Sequence, residues 1–475
     1  MNTLVWFRSD LRVHDNPALH HGLNRDETDE NSVAALYIIC DEYIKTHPVG
    51  PRKLWFTREA LLNLQESLAD AAIRLDIIRV KKSADISQAL LKHCLHHEID
   101  QVNCNAEYPW DELQRDRAAR DLCEENNIKF KRYHDRCLIP PGALTTKQGD
   151  PYRVFTPFSK AWRQLIDQTF LTVYPKPSRK QSLKVDPETI VNKFSGLSLS
   201  EVDDDHWAPS EETALAQLGE FCEAGIEDYH ERRDFPAEPG TSCLSPYLSL
   251  GLISPKQCFI AAANSVSGHW AEDPGVNTWI TELIWREFYM HVAVAFPQVC
   301  KHKPMQAYTD KVSWRRDNKV FDAWCEGRTG IPIVDAAMRQ LNNTGWMHNR
   351  LRMITAMFLS KNLGIDWRWG ERYFMEQLVD GEFCANNGGW QWSASTGTDA
   401  APYFRIMNPI NQAERFDPKG EFIRRYIPEL ADVTGKNIYS GEGAKGYRNP
   451  IVDVKQSRNE AIERFASVNK KESEQ

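Results

Sequence analysis

The feature that most constrains this chain is a change in its hydrophobic period. Over residues 1–131, short apolar runs alternate with longer stretches of helical period. Leu4 to Phe7, Val33 to Ile39, Asp76 to Val80, Gln101 to Cys104 and Lys129 to Tyr133 read as strands. Pro51 to Ala72, Ala84 to His97 and Trp110 to Asn126 read as helices between them. That alternation predicts a parallel sheet wrapped by helices. No Gly-x-Gly-x-x-Gly follows the first strand. Phe7-Arg8-Ser9-Asp10-Leu11-Arg12 stands there instead, so the ordinary dinucleotide fingerprint is absent.

From 132 to 210 the chain changes character. Pro140, Pro141, Pro151, Pro157, Pro175 and Pro177 break it repeatedly, which predicts a long connector crossing the surface. Part of it is basic: Arg153, Lys160, Arg163, Lys176, Arg179, Lys180 and Lys184 stand against Asp167. From 211 onward helical periodicity dominates. Glu212 to Cys222, Pro255 to Asn264, Val276 to Phe296, Ile331 to Leu341, His348 to Asn362 and Trp367 to Leu378 are the expected helices. The expected division is therefore 1–131, 132–210 and 211–475, with a frayed polar end from Asn469 to Gln475.

Composition narrows the function classes. Apolar residues make up 41% and charged residues 26% of 475, a globular balance. No apolar run approaches the roughly 18 residues of a membrane span. The opening Met1-Asn2-Thr3-Leu4-Val5-Trp6-Phe7-Arg8 lacks the plan of a signal peptide, so a cytoplasmic location is expected. The 11 cysteines form no Cys-x-x-Cys pair, which favours reduced thiols over a disulfide framework or a metal centre. A net charge of -8 excludes a uniformly basic nucleic-acid coat but leaves room for a local basic groove.

Of 15 tryptophans, ten lie between Trp270 and Trp392. On a helix, Glu282 shares a face with Trp279, Trp285, Arg286 and Tyr289. Acid, base and indoles on one face suit a pocket that stacks a flat ligand and hydrogen-bonds its edge; a salt-bridged helix face is the plainer reading. In Gly345 to Met353, the residues Asn349, Arg352 and Met353 share a helical face, which offers an amide and a planar cation to a heterocycle. The stretch Asp380 to Trp392 is the richest. Gly388-Gly389 permits a tight turn or close ligand approach, with Asn386, Asn387, Trp390 and Trp392 around it. Gly240-Thr241-Ser242-Cys243-Leu244-Ser245-Pro246 could hold phosphate through hydroxyls and backbone N–H groups, or simply cap a helix. Basic and aromatic residues interleave from Lys301 to Arg316; a solvated face is the default and phosphate contact the alternative.

These segments resemble one family. Trp6 to Asn16, Thr278 to Tyr289, Gly345 to Met353 and Asn386 to Phe404 together look like the DNA photolyase/cryptochrome family over nearly the whole chain. The similarity is greatest to bacterial class I enzymes for cyclobutane pyrimidine dimers that carry a folate antenna. The resemblance implies a Rossmann-like α/β antenna domain and an all-α domain that binds FAD. It places Tyr229, Thr241, Ser242, Cys243, Leu244 and Ser245 on the phosphates and sugars. It places Trp279, Glu282, Arg286, Gly381 and Glu382 in the pocket, Arg352 and Asp380 beside the isoalloxazine, and Asn386 near its N5. The family commonly shows Asp where Glu382 stands.

The implied chemistry belongs to the cofactor. Reduced, anionic flavin absorbs blue light, gives one electron to a pyrimidine dimer in UV-damaged DNA, and recovers it. Trp285 and Trp392 would flank the lesion, while Glu282 and Asn349 would hydrogen-bond it. Arg233, Arg350, Met353 and Gln412 match positions near DNA. The lesion leaves the duplex by base flipping, for which photolyases are a standard instance. Trp390, Trp367 and Trp314 match an electron-transfer triad that would recharge the flavin. His47, Asp111, Glu112, Cys300 and Lys301 match a methenyltetrahydrofolate site, with Asp111 where close relatives carry Asn. No metal, no membrane and no obligate protein partner are expected, and a monomer is.

Four rivals are weighed. A cryptochrome photoreceptor is disfavoured by Asn386 and Glu282 and by the lack of a long tail beyond Ser467. An enzyme for (6-4) photoproducts calls for histidines where Asn349 and Met353 stand. A DASH-type cryptochrome is disfavoured by Trp285. A dark flavin oxidoreductase calls for a nicotinamide fingerprint, which is not visible.

Overall fold

The structure is a computed structural model that describes residues 1–23, 32–169, 171–177, 182–202, 207–400 and 402–470. Arg179 and Lys180 of the basic stretch, and 471–475 of the polar end, lie outside the described residues.

Five strands form one sheet: β1 (Thr3–Phe7), β2 (Val33–Cys40), β3 (Arg74–Val80), β4 (Gln101–Asn105) and β5 (Lys129–Tyr133). They run parallel in the order β3-β2-β1-β4-β5. Central β1 is buried along its whole length, as the unbroken run Leu4-Val5-Trp6-Phe7 requires of a strand covered on both faces. The strand order reverses between β1 and β4, so the crevice beyond Phe7 and Asn105 is the place such a sheet offers a ligand.

The helices of this half are α1 (Pro17–Leu23), α2 (Asp41–Thr46), α3 (Pro51–Asp70), α4 (Ile86–His96) and α5 (Trp110–Glu125). Next come α6 (Phe155–Ile166), α7 (Pro187–Phe194), α8 (Glu211–Ala224), α9 (Tyr229–Arg232), α10 (Ser245–Leu250), α11 (Pro255–Asn264) and α12 (Pro274–Ala295). The chain continues through α13 (Asn318–Cys325), α14 (Pro332–Thr344), α15 (Asn349–Met357), α16 (Trp367–Gln377) and α17 (Phe383–Ala394). It closes with α18 (Pro409–Phe416), α19 (Glu421–Tyr426), α20 (Asn437–Ser440) and α21 (Val454–Lys470). The second half is all-helical, and no described helix is long and apolar enough to cross a membrane.

Two segments differ from the sequence reading. The proline-broken stretch is not only a surface connector. It contains α6 and α7, whose Phe158, Trp162, Ile166, Ile190 and Phe194 are buried in the main core. The periodicity of α6 was hidden by Pro157, which sits in the first turn, where a missing N–H costs nothing. Gly388-Gly389 is not a turn. Both glycines lie inside α17, and a methyl group on Gly388 would collide with the Tyr289 ring of α12. Glycine is there to let two helices approach.

The motif after β1 docks the two halves. Asp15 pairs with Lys256 at 2.7 Å, Arg12 Nη1 donates to the Gly251 carbonyl at 3.0 Å, and Leu11 N donates to the Leu250 carbonyl at 3.1 Å. Arg12 also pairs with Asp135, and both side chains are buried.

Glu287 of α12 ties the middle stretch to the helical half. It is fully buried. Its carboxylate accepts the Trp162 indole N–H of α6 at 2.7 Å and the backbone N–H of Leu138 and Ile139. Burial raises its pKa to about 7 against an ordinary value of 4.5. A carboxyl raised in this way stabilises the fold fully below pH 4.5, and that contribution fades as pH rises towards 7. Replacing it by alanine orphans all three donors, of which the two fully buried ones, Trp162 Nε1 and Ile139 N, cost about 1–3 kcal/mol each. Urea unfolding of Glu287→Ala should therefore show a loss of about 2–6 kcal/mol. Glu287→Gln should lose less and should flatten the stability profile between pH 4.5 and 7. An unchanged pH profile in the glutamine variant would contradict the assignment.

Candidate functional site

α17 supplies the centre of the site. Glu382 caps it, accepting from Cys384 N at 3.1 Å and Ala385 N at 2.9 Å. Aspartate caps a helix by the same bonds, so the departure from the family residue preserves the cap. One turn on, half-buried Asn386 donates Nδ2 to the Glu371 carbonyl at 2.9 Å. An amide NH2 has two hydrogens, so one remains for a ligand. Asn387 is used internally: its Nδ2 donates to the buried Glu371 carboxylate at 2.6 Å. That carboxylate also meets His302 Nδ1 at 3.2 Å, a hydrogen bond that raises the His302 pKa.

Arg352 of α15 and Asp380 before α17 form an ion pair at 2.7 Å. The Asp380 side chain is 1% exposed, and its Oδ1 has no hydrogen-bond partner in the protein. A buried acceptor left bare costs about 1–3 kcal/mol, so a ligand's donor belongs there. Arg352 Nε donates to the Met347 carbonyl at 2.8 Å, which fixes the guanidinium plane.

The turn before α10 is clamped by three indoles. Trp279 Nε1 donates to Ser242 Oγ at 3.2 Å, Trp346 Nε1 to Ser245 Oγ at 3.2 Å, and Trp207 Nε1 to the Cys243 carbonyl at 3.2 Å. Cys243 holds a φ of 50°, and Thr241 Oγ1 lies 3.3 Å from Cys243 Sγ. Both serines act as acceptors here, so their O–H groups stay free to donate outward. Leu244 and Tyr229 are buried beside the turn. Arg286 turns away towards the middle stretch and donates to the Arg136 carbonyl at 2.6 Å.

A charged rim lies on α9, α12 and α15. Arg233 Nη1 meets Glu282 Oε1 at 2.6 Å, and Arg350 Nη2 meets Asp234 Oδ2 at 2.7 Å. Burial raises the Glu282 pKa and Arg233 opposes the shift. Trp285 stacks face to face on Phe155 of α6, with centroids 3.5 Å apart and planes 4° apart. One indole face is thereby taken. Asn349 is exposed at the start of α15, and Met353, Trp392 and Gln412 are half-buried. Among the described residues, no hydrogen bond links these four to Glu282.

Trp390, Trp367 and Trp314 run from core to surface: the first two are buried and the third is half-buried. The Trp390 ring lies against Gly370, one turn beyond Trp367, where a methyl group would collide with it. Arg315 N donates to the Gly364 carbonyl at 2.7 Å, which brings the Trp314 segment beside the start of α16. Trp314 meets Phe465 of α21 at 5.9 Å.

A cavity of 1420 Å³ opens at the strand ends, lined by Arg8, Glu107 and Lys53 and reaching Gly381 and Glu382. His47, Asp111, Glu112, Cys300 and Lys301 all line it. His47 Nε2 lies 2.9 Å from Asp111 Oδ2, and Tyr43 stacks on His47 at 4.1 Å. Tyr43 donates to Glu112 Oε1 at 2.6 Å, while Glu112 Oε2 is buried without a partner. Burial, with Glu107 nearby, raises the Glu112 pKa. Lys301 lies over the Trp110 ring at 4.7 Å. Lys301 and His302 thus make contacts within the chain and Arg315 pairs with Asp317, while Lys303, Lys311 and Arg316 of the same stretch are exposed.

Sequence reasoning missed Phe155, Glu371, Trp207 and Lys53. Phe155 sat in a stretch read as connector. Glu371 and Trp207 act through contacts distant in sequence. Lys53, whose pKa burial lowers to about 8, gave no local signal.

Comparison with known proteins places this geometry. The family profile described as DNA photolyase matches residues 3–178, and that described as FAD binding domain of DNA photolyase matches 279–467. The deoxyribodipyrimidine photo-lyase of Vibrio cholerae is 44% identical over 466 residues, covering 96% of this chain and 97% of its own. That of Escherichia coli is 42% identical over 480 residues, covering 98% and 99%. The crystal structure of a class III photolyase from Agrobacterium tumefaciens superposes with a TM-score of 0.87 at 35% identity, covering 99% of this chain and 98% of that one. With fold, site and full-length similarity in agreement, the chain belongs to the DNA photolyase family.

Proposed function

We propose that this protein is a deoxyribodipyrimidine photo-lyase that splits cyclobutane pyrimidine dimers in DNA under blue light. The observation that carries the reading is the ion pair of half-buried Arg352 with buried Asp380, whose second oxygen is bare, set with the charged, indole-lined rim of α12. That donor and acceptor set fits FAD, as does the clamped hydroxyl turn. When bound, FAD supplies light absorption and the loan of one electron to the substrate.

The chain's own residues do the rest. Arg352 would hold positive charge beside the bound ring system, and Asp380 keeps that guanidinium in place. The spare Asn386 hydrogen points a donor at the same ligand. Such fixed charges and dipoles favour a negative ligand without reorganising. Ser242 and Ser245 would donate to phosphate oxygens. On the rim, Glu282 would accept from the damaged bases, while Arg233 and Arg350 would face the backbone. Trp285 has its second face for the flipped lesion, because Phe155 occupies the first. Asn349, Met353, Trp392 and Gln412 would complete that surface. Trp390, Trp367 and Trp314 would carry an electron inward from solvent to restore the reduced cofactor.

The cavity at the strand ends supports a second chromophore. Its bare Glu112 oxygen would take a donor from methenyltetrahydrofolate, and His47 with Asp111 would close one side. The proposed division is an antenna unit at 1–131, a linking stretch at 132–210 whose α6 and α7 pack into the main core, and a cofactor unit at 211–475. It acts as a cytoplasmic monomer.

Two variants test this reading. Glu282→Ala should lower repair of a dimer-containing oligonucleotide by about tenfold, the loss of one hydrogen bond to a charged group, while FAD stays bound. Unchanged repair per photon would remove Glu282 from the mechanism. Trp314→Phe should block photoreduction of the oxidised flavin by a thiol reductant, yet leave repair intact when the flavin is reduced chemically beforehand. Lost repair in the pre-reduced variant would overturn the triad's role.

A further inference from the structure

We propose that the outer edge of the sheet carries a site for one divalent transition-metal ion, zinc being the best fit, formed by Asp76, His93 and His97. Asp76 lies on edge strand β3, His93 lies in the last turn of α4, and His97 caps that helix. One ligand atom from each lies within 4.8 Å of the others. The four-residue spacing puts both imidazoles on one helix face, with ring centroids 4.4 Å apart.

The independent sign is His93 itself. Its side chain is 8% exposed, and its Nε2 has no hydrogen-bond partner. That nitrogen is 3.6 Å from Asp76 Oδ2, beyond hydrogen-bond reach. A bare, buried ring nitrogen aimed between a carboxylate and a second imidazole is what coordination satisfies.

Two imidazoles and one carboxylate are a ligand set for zinc with solvent in the fourth position. Bonds of about 2.0–2.2 Å bring tetrahedral ligand atoms to roughly 3.3 Å, so the three side chains close by about 1 Å. Arg74 now stands in for the cation: its Nη2 is 2.7 Å from Asp76 Oδ2 and 3.4 Å from His97 Nε2. Its side chain is 57% exposed and free to swing into water. The ion would staple β3 to the end of α4. None of the three ligands lines the cavity at the strand ends.

The test is calorimetric titration of chelator-washed, full-length protein with zinc chloride. Wild type should bind one equivalent. His93→Gln and the less buried His97→Gln should each weaken it by at least tenfold, on the scale of losing a metal-supporting group. Arg74→Ala should tighten it, and dimer repair should be unaffected in all three. The proposal is overturned if wild type takes up no zinc. It is equally overturned if both histidine variants keep the equivalent, which would assign it to thiols, or if Arg74→Ala loses it.

Discussion

The buried Glu287 carboxylate holds the architecture of the site. It stands on α12, the helix that also presents Trp279, Glu282, Trp285 and Arg286. By taking the Trp162 indole and two backbone N–H groups, it fixes the middle of the chain against that helix. Phe155, on the same helix as Trp162, is thereby set flat on Trp285. Burying a carboxyl is costly unless its lone pairs are met, and here three donors meet it. The raised pKa records what burial leaves unpaid.

From α12 the order spreads by close packing. Gly388 lets α17 lie against Tyr289, and that contact sets the depth of Asn386 and Trp390. Glu371 then orients Asn386 from below through its carbonyl and Asn387 through its carboxylate. Among the described residues, the buried atoms Asp380 Oδ1 and Trp390 Nε1 have no hydrogen-bond partner in the protein. The first lies where a cofactor donor would complete it. The second belongs to the indole proposed to relay an electron through its ring.

Much of the fold was legible in the sequence, for physical reasons. The five strands were found within two residues of their ends: the central β1 is a short apolar run because it is covered on both faces, while edge strand β5, Lys129-Phe130-Lys131-Arg132-Tyr133, alternates between charged and aromatic residues because it is largely exposed. The candidate site was legible where the sequence carries charged residues among aromatics that a core would not choose, as at Glu282, Arg352 and Asp380. What escaped depended on tertiary contact. The glycine pair in α17 read as a tight turn or a close ligand approach because glycine looks alike whether it serves these or a helix crossing. The α6 helix was masked by a proline that its first turn tolerates. Phe155 carries no local mark of its partner, 130 residues away in sequence.

This scaffold uses light to break a pair of carbon–carbon bonds in DNA. The most direct measurement uses a duplex oligonucleotide with one thymine dimer and the FAD-loaded, pre-reduced protein. Dimer and restored thymines are counted by chromatography after equal times in blue light and in darkness. Restored thymines are expected only under illumination, with many turnovers per protein and no reductant consumed in proportion. An intact dimer under illumination, with FAD still bound and reduced, would contradict it.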